Sequence, residues 1–137
     1  MSLVLDPSVV AGWYIGDESS PYTQAARAAV AAAGAVVPSL WPYEVTNLFL
    51  MAERRGRIGA DDVSLALESL AVMPIDVRPA MASSATAGLA RIAREYRLSA
   101  YDASYLDTAA RTGASLATLD GALRQAAERA GLALFSV

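Results

Sequence analysis

Short apolar runs alternate with helix-like patterns along the chain. The first run, Ser2–Leu5, predicts a buried strand, and Asp6-Pro7 after it supplies an N-cap acid with proline at the first helical position. Later apolar runs predict strands at 35–37, 74–77, 115–118 and 132–135. Helices are predicted between them at 7–15, 21–33, 42–57, 59–70, 81–97, 100–111 and 121–130. This alternation indicates a three-layer α/β/α fold around a parallel sheet of four to five strands.

Four acidic residues occupy a recurring place in this pattern. Asp6 and Asp120 directly follow apolar runs, whereas Glu44 and Asp102 lie in the first turns of predicted helices. In a parallel α/β sheet, the carboxyl ends of the strands and the helix N-termini beyond them share one edge. We therefore expect the four carboxylates to converge at that edge.

Each of these acids also has a purely structural explanation. Asp6 and Asp120 are ordinary N-cap residues. Asp102 has the spacing of a capping box with Ser99, and Glu44 suits the helix dipole. The structural explanation is sufficient for each acid alone, but it does not explain why all four should share one edge.

The composition limits the chemistry available to such a site. The 137-residue chain has no cysteine or histidine, and all eleven basic residues are arginine. Thiolate and histidine catalysis, imidazole ligands and lysine chemistry are therefore excluded. Unpaired carboxylates repel one another, and a divalent cation that prefers oxygen ligands relieves the repulsion. The residues thus favour a site that binds Mg²⁺ or Mn²⁺ and hydrolyses phosphate esters. The formal charge of −3 predicts that the protein has no broad basic face for binding nucleic acid.

Four sequence blocks, in this order and spacing, carry a family resemblance. They are Leu5–Val9, Pro42–Asn47, Leu98–Leu106 and Leu116–Asp120. Together they resemble the PIN domain, and within it the VapC toxins of bacterial toxin–antitoxin pairs. The resemblance covers essentially the whole chain. It implies a PIN-like fold and a Mg²⁺-dependent endoribonuclease that acts on RNA, forms a homodimer and is inhibited by a cognate VapB-type antitoxin.

The resemblance also implies roles for individual residues. Asp6, Glu44 and Asp102 match the metal-binding acids of the family, and Asp120 matches a last acid that is more variable. The matching polar positions that line the site are Ser8, Asn47 and Thr118. In this hypothesis the four acids bind one or two Mg²⁺ ions, for which Mn²⁺ substitutes.

Other interpretations stay open at this point. A structure-specific DNA nuclease would share the acidic site, and a non-catalytic α/β binding module would have the fold without the chemistry. A response-regulator phosphoacceptor is disfavoured, because that family depends on a lysine. The arginines at 54, 55 and 57 suit either RNA phosphates or the dipole of the helix that they end.

The remaining expectations concern the surroundings of the site, the location of the protein and its domain organisation. The segment Trp13–Ile15 is suited to form a groove for an antitoxin helix, although packing of these residues in the core is favoured. Asp107 is expected to lie outside the acidic site. The N-terminal segment and the weakly polar stretch 28–41 predict neither a signal peptide nor a membrane span. We therefore expect a cytoplasmic protein in which residues 1–137 form a single PIN domain.

Overall fold

A computed structural model describes residues 2–137, so that Met1, the first residue of the predicted domain, lies outside the described residues. Four β-strands and seven α-helices alternate in this part of the chain. The strands are β1 (Leu3–Leu5), β2 (Ala35–Val37), β3 (Ile75–Val77) and β4 (Ser115–Ala117). The helices are α1 (Pro7–Tyr14), α2 (Pro21–Ala33), α3 (Trp41–Arg54), α4 (Ala60–Ala71), α5 (Thr86–Tyr96), α6 (Ala100–Thr112) and α7 (Gly121–Arg129).

The strands form one parallel sheet in the order β3-β2-β1-β4. Val4 in β1 pairs with Val36 on one side and with Leu116 on the other. Every residue of β1 and β2 is buried, and since successive side chains point to opposite faces, helices cover both sides of the sheet. The predicted three-layer α/β/α fold is confirmed. After β1 the chain adds β2 and β3 on one side of it and then returns to add β4 on the other side. The carboxyl ends of β1 and β4 therefore form a topological switch point.

The predicted fifth strand is reduced to a single bridge. Leu134 pairs in parallel with Leu116, through hydrogen bonds from Leu116 N–H to the Ala133 carbonyl and from Phe135 N–H to the Leu116 carbonyl, each 2.9 Å long. The prediction of a full strand at 132–135 is wrong because pairing stops after one residue. This segment thus covers the outer side of β4 without extending the sheet.

The predicted helix at 81–97 begins later than expected. A short 3-10 helix, Ser83–Ala85, precedes α5, and the Thr86 hydroxyl donates to the Ser83 carbonyl at 2.8 Å. Serine and threonine hydroxyls compete with helical hydrogen bonds in this way. The helix ends where Arg97 adopts a left-handed conformation with φ of 56°.

The core fills the space between the sheet and the helices that cover it. Trp13 and Ile15 are buried, and the Trp13 indole N–H donates to the Thr23 carbonyl at 2.7 Å. The preference for core packing of these two residues over an antitoxin groove is confirmed. Gly12 allows the close approach of α1 and α2, because a Cβ at this position would lie 2.5 Å from the Thr23 side chain.

Candidate active site

Asp6 is the most buried of the four predicted acids. It follows β1 directly and caps α1, and it is 8% exposed. Its Oδ2 accepts hydrogen bonds from the Ser8 backbone N–H (3.2 Å), the Ser8 hydroxyl and the Thr118 hydroxyl (3.1 Å). All three bonds reach the same oxygen, so Oδ1 has no donor among the described residues. The site therefore orients Asp6 firmly and keeps one of its oxygens available.

Asp120 is linked to Asp6 through a shared threonine. It follows β4 and caps α7 through Oδ1, which accepts from the N–H groups of Ala122 (2.9 Å) and Leu123 (3.3 Å). Its own N–H donates to the hydroxyl oxygen of Thr118 at 3.0 Å, and that hydroxyl donates in turn to Asp6. Because β1 and β4 are adjacent, this threonine joins the two acids at the switch point of the sheet.

Glu44 is held by a side chain that sequence reasoning missed. It lies in the first turn of α3 without capping that helix, and its Oε1 accepts a hydrogen bond of 2.6 Å from the Tyr105 hydroxyl. Tyr105 is fully buried on α6. The available signal was its spacing from Asp102, since residues three apart on a helix share a face.

Asp102 does not complete the predicted capping box. The Ser99 hydroxyl oxygen accepts from the Asp102 N–H at 3.1 Å, but the Asp102 carboxylate makes no return bond to the Ser99 backbone. The N-cap explanation is confirmed for Asp6 and Asp120. Glu44 and Asp102 lie in the first turns of α3 and α6, where an acid suits the helix dipole, but neither half-buried carboxylate accepts a capping hydrogen bond.

Burial and mutual repulsion raise the pKa of three of these acids. Desolvation is the largest cause of the raised pKa for Asp6, Glu44 and Asp102. Asp120 adds to the raised pKa of Asp6, Asp6 and Asp102 add to that of Glu44, and Asp120 and Asp6 add to that of Asp102. The opposing, pKa-lowering contributions come from hydroxyl and backbone hydrogen bonds rather than from arginine. Each of the four acids is therefore electrostatically coupled to at least one of the others.

The donor set suits a hard divalent cation, although no finished metal cluster is present. Within residues 2–137, no three acidic side chains are grouped closely enough to hold an ion as they stand. Oδ1 of Asp6 and Oε2 of Glu44 lack hydrogen-bond donors in this part of the chain, and all the available ligands are oxygens, which Mg²⁺ and Mn²⁺ prefer. The uncompensated repulsion between these acids is what a cation would relieve.

The predicted polar residues contribute unequally. Ser8 and Thr118 bond directly to Asp6, and the Leu119 N–H donates to the Ser8 hydroxyl oxygen at 3.0 Å. Asn47 is exposed and lines the same groove as Asp6 and Glu44, without a hydrogen bond to either in the described chain. Its position makes it a group at the rim of the groove.

Two arginines that follow α3 line this groove, and one of them forms ion pairs. Arg57 pairs with Asp17 at 2.7 Å and with Glu18 at 3.4 Å, and it lines the groove together with Arg55. Asp107 pairs with Arg111 at 2.9 Å, which confirms the expectation that it lies outside the acidic site.

Comparisons with known proteins identify the family of the chain. The PIN domain family matches residues 3–129 of the chain. Ribonuclease VapC3 from Pyrobaculum aerophilum is 33% identical over 129 residues, which are 94% of this chain and 95% of that protein. The crystal structure of PAE2754, also from Pyrobaculum aerophilum, superimposes with a TM-score of 0.65 at 20% identity and covers 92% of this chain and 84% of its own. By fold, by sequence and by its acidic edge, the chain belongs to the PIN domain family, in its VapC branch.

Proposed function

We propose that this protein is a divalent-metal-dependent endoribonuclease and the toxin of a type II toxin–antitoxin pair. The observation that carries the proposal is the set of carboxylates at the carboxyl edge of the sheet. The pKa of Asp6, of Glu44 and of Asp102 is raised in part by another of these acids, and Glu44 and Asp102 do no capping. The name of its relative, ribonuclease VapC3, supports RNA as the substrate. A structure-specific DNA nuclease and a non-catalytic module are the competing functions that experiment must exclude.

Asp6, Glu44, Asp102 and Asp120 are the proposed metal ligands and catalytic acids. Mg²⁺ is the proposed cofactor, and Mn²⁺ is expected to replace it because both prefer oxygen ligands. A divalent cation bound here would lower the pKa of a coordinated water and polarise a phosphoryl oxygen. Asp6 is proposed as the anchor of the site, because it is buried and held by three hydrogen bonds, whereas Glu44 and Asp102 are half-buried.

Other residues of the chain position these carboxylates. Ser8 and Thr118 hold Oδ2 of Asp6, and Tyr105 holds Oε1 of Glu44. One oxygen of each acid is thus fixed, while the other accepts no hydrogen bond from the described residues. Asn47, exposed at the rim, is proposed to donate its amide to the RNA backbone. This division between fixed and available oxygens is what a preorganised hydrolytic site requires.

The partners follow from the same proposal. A VapB-type antitoxin is the expected inhibitor, and a second copy of the chain is the expected assembly partner. We also propose that residues 1–137 form a single PIN domain that works in the cytoplasm. Among the described residues, no helix is both long and apolar enough to cross a bilayer.

Cleavage of labelled RNA tests the activity. Asp102→Asn should abolish Mg²⁺-dependent cleavage, whereas the matched control Asp61→Asn, an exposed acid in the first turn of α4, should leave it unchanged. Both proteins are assayed with Mg²⁺ and with chelator, on RNA and on flap DNA. Equal cleavage by Asp102→Asn and wild type would exclude the proposed site, and a preference for flap DNA would establish the competing nuclease.

Coexpression tests the toxin assignment. Wild-type protein should arrest growth, and coexpression of the adjacent reading frame should restore it and yield a co-purifying complex. Growth arrest that persists alongside Asp102→Asn would show that toxicity does not depend on the acidic site.

A further inference from the structure

A second cavity lies at the same edge of the sheet, beside the acidic site. Its volume is about 470 Å³, which lies in the range of roughly 300–1,000 Å³ typical of small-molecule sites. Its walls come from α5, α6 and the loops that follow β2 and β3. Since all four strands are parallel, these loops lie at the same carboxyl edge as Asp6 and Asp120. The cavity therefore lies at the same carboxyl edge of the sheet as the acids.

Tyr101 connects the cavity to the acidic site. It lines the cavity from the first turn of α6 and directly precedes Asp102. Its side chain is 66% exposed, although it is large and aromatic. No aromatic or cationic partner covers the ring within residues 2–137. An uncovered aromatic ring at the side of a cavity is a platform on which a nucleobase stacks.

Two arginines give the cavity a positive lip in a chain of negative net charge. Arg78 and Arg111 both line it. Arg78 pairs with Asp76 at 3.3 Å, and this exposed ion pair is weak and easily exchanged. Arg111 contacts Asp107 through Nε alone, at 3.1 and 2.9 Å. The two terminal amino groups of this guanidinium make no hydrogen bond in the described chain, so they are available for a phosphate.

We propose that this cavity binds the nucleotide next to the scissile phosphodiester, with its base stacked on Tyr101 and its phosphate held by Arg111 and Arg78. The inference rests on the proposed ribonuclease function and names the substrate contact that this function lacks. It also explains how a protein of negative net charge holds RNA beside its carboxylates. Because an aromatic platform accepts any base, the cavity contributes affinity and register rather than a base code.

A second copy of the chain is the competing occupant. The cavity has apolar wall residues, among them Met81 and Leu89, that a protein partner could cover. The charges favour RNA, because the cavity is lined by two cations, Arg78 and Arg111, and by one anion, Asp107. The four acids of the proposed active site do not line it. The experiment includes an arm for each occupant.

Binding is measured without catalysis, with a fluorescein-labelled single-stranded RNA of mixed sequence in chelator at low salt. Tyr101→Ala should weaken binding about 5-fold or more, as loss of base stacking does, while Tyr101→Phe should keep it. The matched control is Tyr43→Ala, since Tyr43 is 80% exposed and also precedes a site acid, yet it does not line the cavity. An unchanged affinity for Tyr101→Ala, or an equal loss in Tyr43→Ala, overturns the proposal.

Cleavage and molar mass complete the test. Tyr101→Ala should raise KM for Mg²⁺-dependent cleavage, and this difference should vanish on RNA that carries an abasic residue beside the cleaved bond. Tyr101-dependent binding without any cleavage would refute the ribonuclease function and leave the nucleotide site standing. A lower molar mass by light scattering for Tyr101→Ala, with RNA affinity intact, would assign the cavity to a second copy and overturn the proposal.

Discussion

Removal of a single hydroxyl group tests how Glu44 is held. Tyr105→Phe deletes the donor 2.6 Å from Glu44 Oε1 and leaves the buried ring in place. A hydrogen bond to a charged group contributes about 1.5–3 kcal/mol to stability. Because Glu44 is half-buried, water can replace part of this bond in the variant. We therefore expect a loss of about 1–2 kcal/mol in the free energy of unfolding. For a chain of this size the melting temperature should fall by roughly 3–5 °C for each kcal/mol.

The dependence on pH identifies the partner of this hydroxyl. The Tyr105 hydrogen bond lowers the pKa of Glu44, although burial holds that pKa above its ordinary value of 4.5 overall. A bond that favours the ionised acid stabilises the protein above the folded pKa and is lost as pH falls through it. The cost of Tyr105→Phe, measured by urea unfolding, should thus be largest near pH 7 and shrink toward pH 4.

A second variant supplies the control for this reasoning. In a Glu44→Ala background the buried hydroxyl lacks its acceptor, so Tyr105→Phe should cost nothing or should stabilise the protein. If Tyr105→Phe costs the same in both backgrounds and at every pH, the hydroxyl acts through packing alone, and the account of Glu44 is wrong.

Three further predictions concern the charges and the packing. In metal-free protein, Asp102→Asn should raise the melting temperature at pH 7, because the raised pKa of Asp102 means that its ionisation destabilises the fold. This gain in melting temperature should fade as the pH drops toward 3.8, the ordinary pKa of an aspartate. A gain that stays unchanged at low pH would contradict the prediction. Mn²⁺ should raise the melting temperature of wild type more than that of Asp102→Asn, whereas equal shifts would place the ion elsewhere. Gly12→Ala should cost about 1–3 kcal/mol by urea unfolding, since its Cβ would meet Thr23 at 2.5 Å, whereas Gly16→Ala has open space and should be neutral.

The strongest local signals in the sequence predicted the elements well. Asp6-Pro7 starts α1 as expected, and α6 ends at Thr112, one residue beyond the predicted end, with Gly113 at φ of 72° as its C-cap. Such signals act over a few residues, so they need no knowledge of the rest of the fold. The prediction of a strand at 132–135 failed for the opposite reason, because strand pairing depends on a neighbour that is distant in sequence. In this segment Leu134 alone forms a bridge, with Leu116.

The candidate site divides in the same way. Residue types and their order along the chain predicted Asp6, Glu44, Asp102 and Asp120 as the acids of the site, because strand ends and helix N-termini share one edge of a parallel sheet. Only the tertiary structure decided which of them are fixed and which are free. The Tyr105–Glu44 bond spans 61 positions and the Thr118–Asp6 bond 112, and contacts of that range leave no local pattern, since they arise from the packing of α6 and β4 against β1.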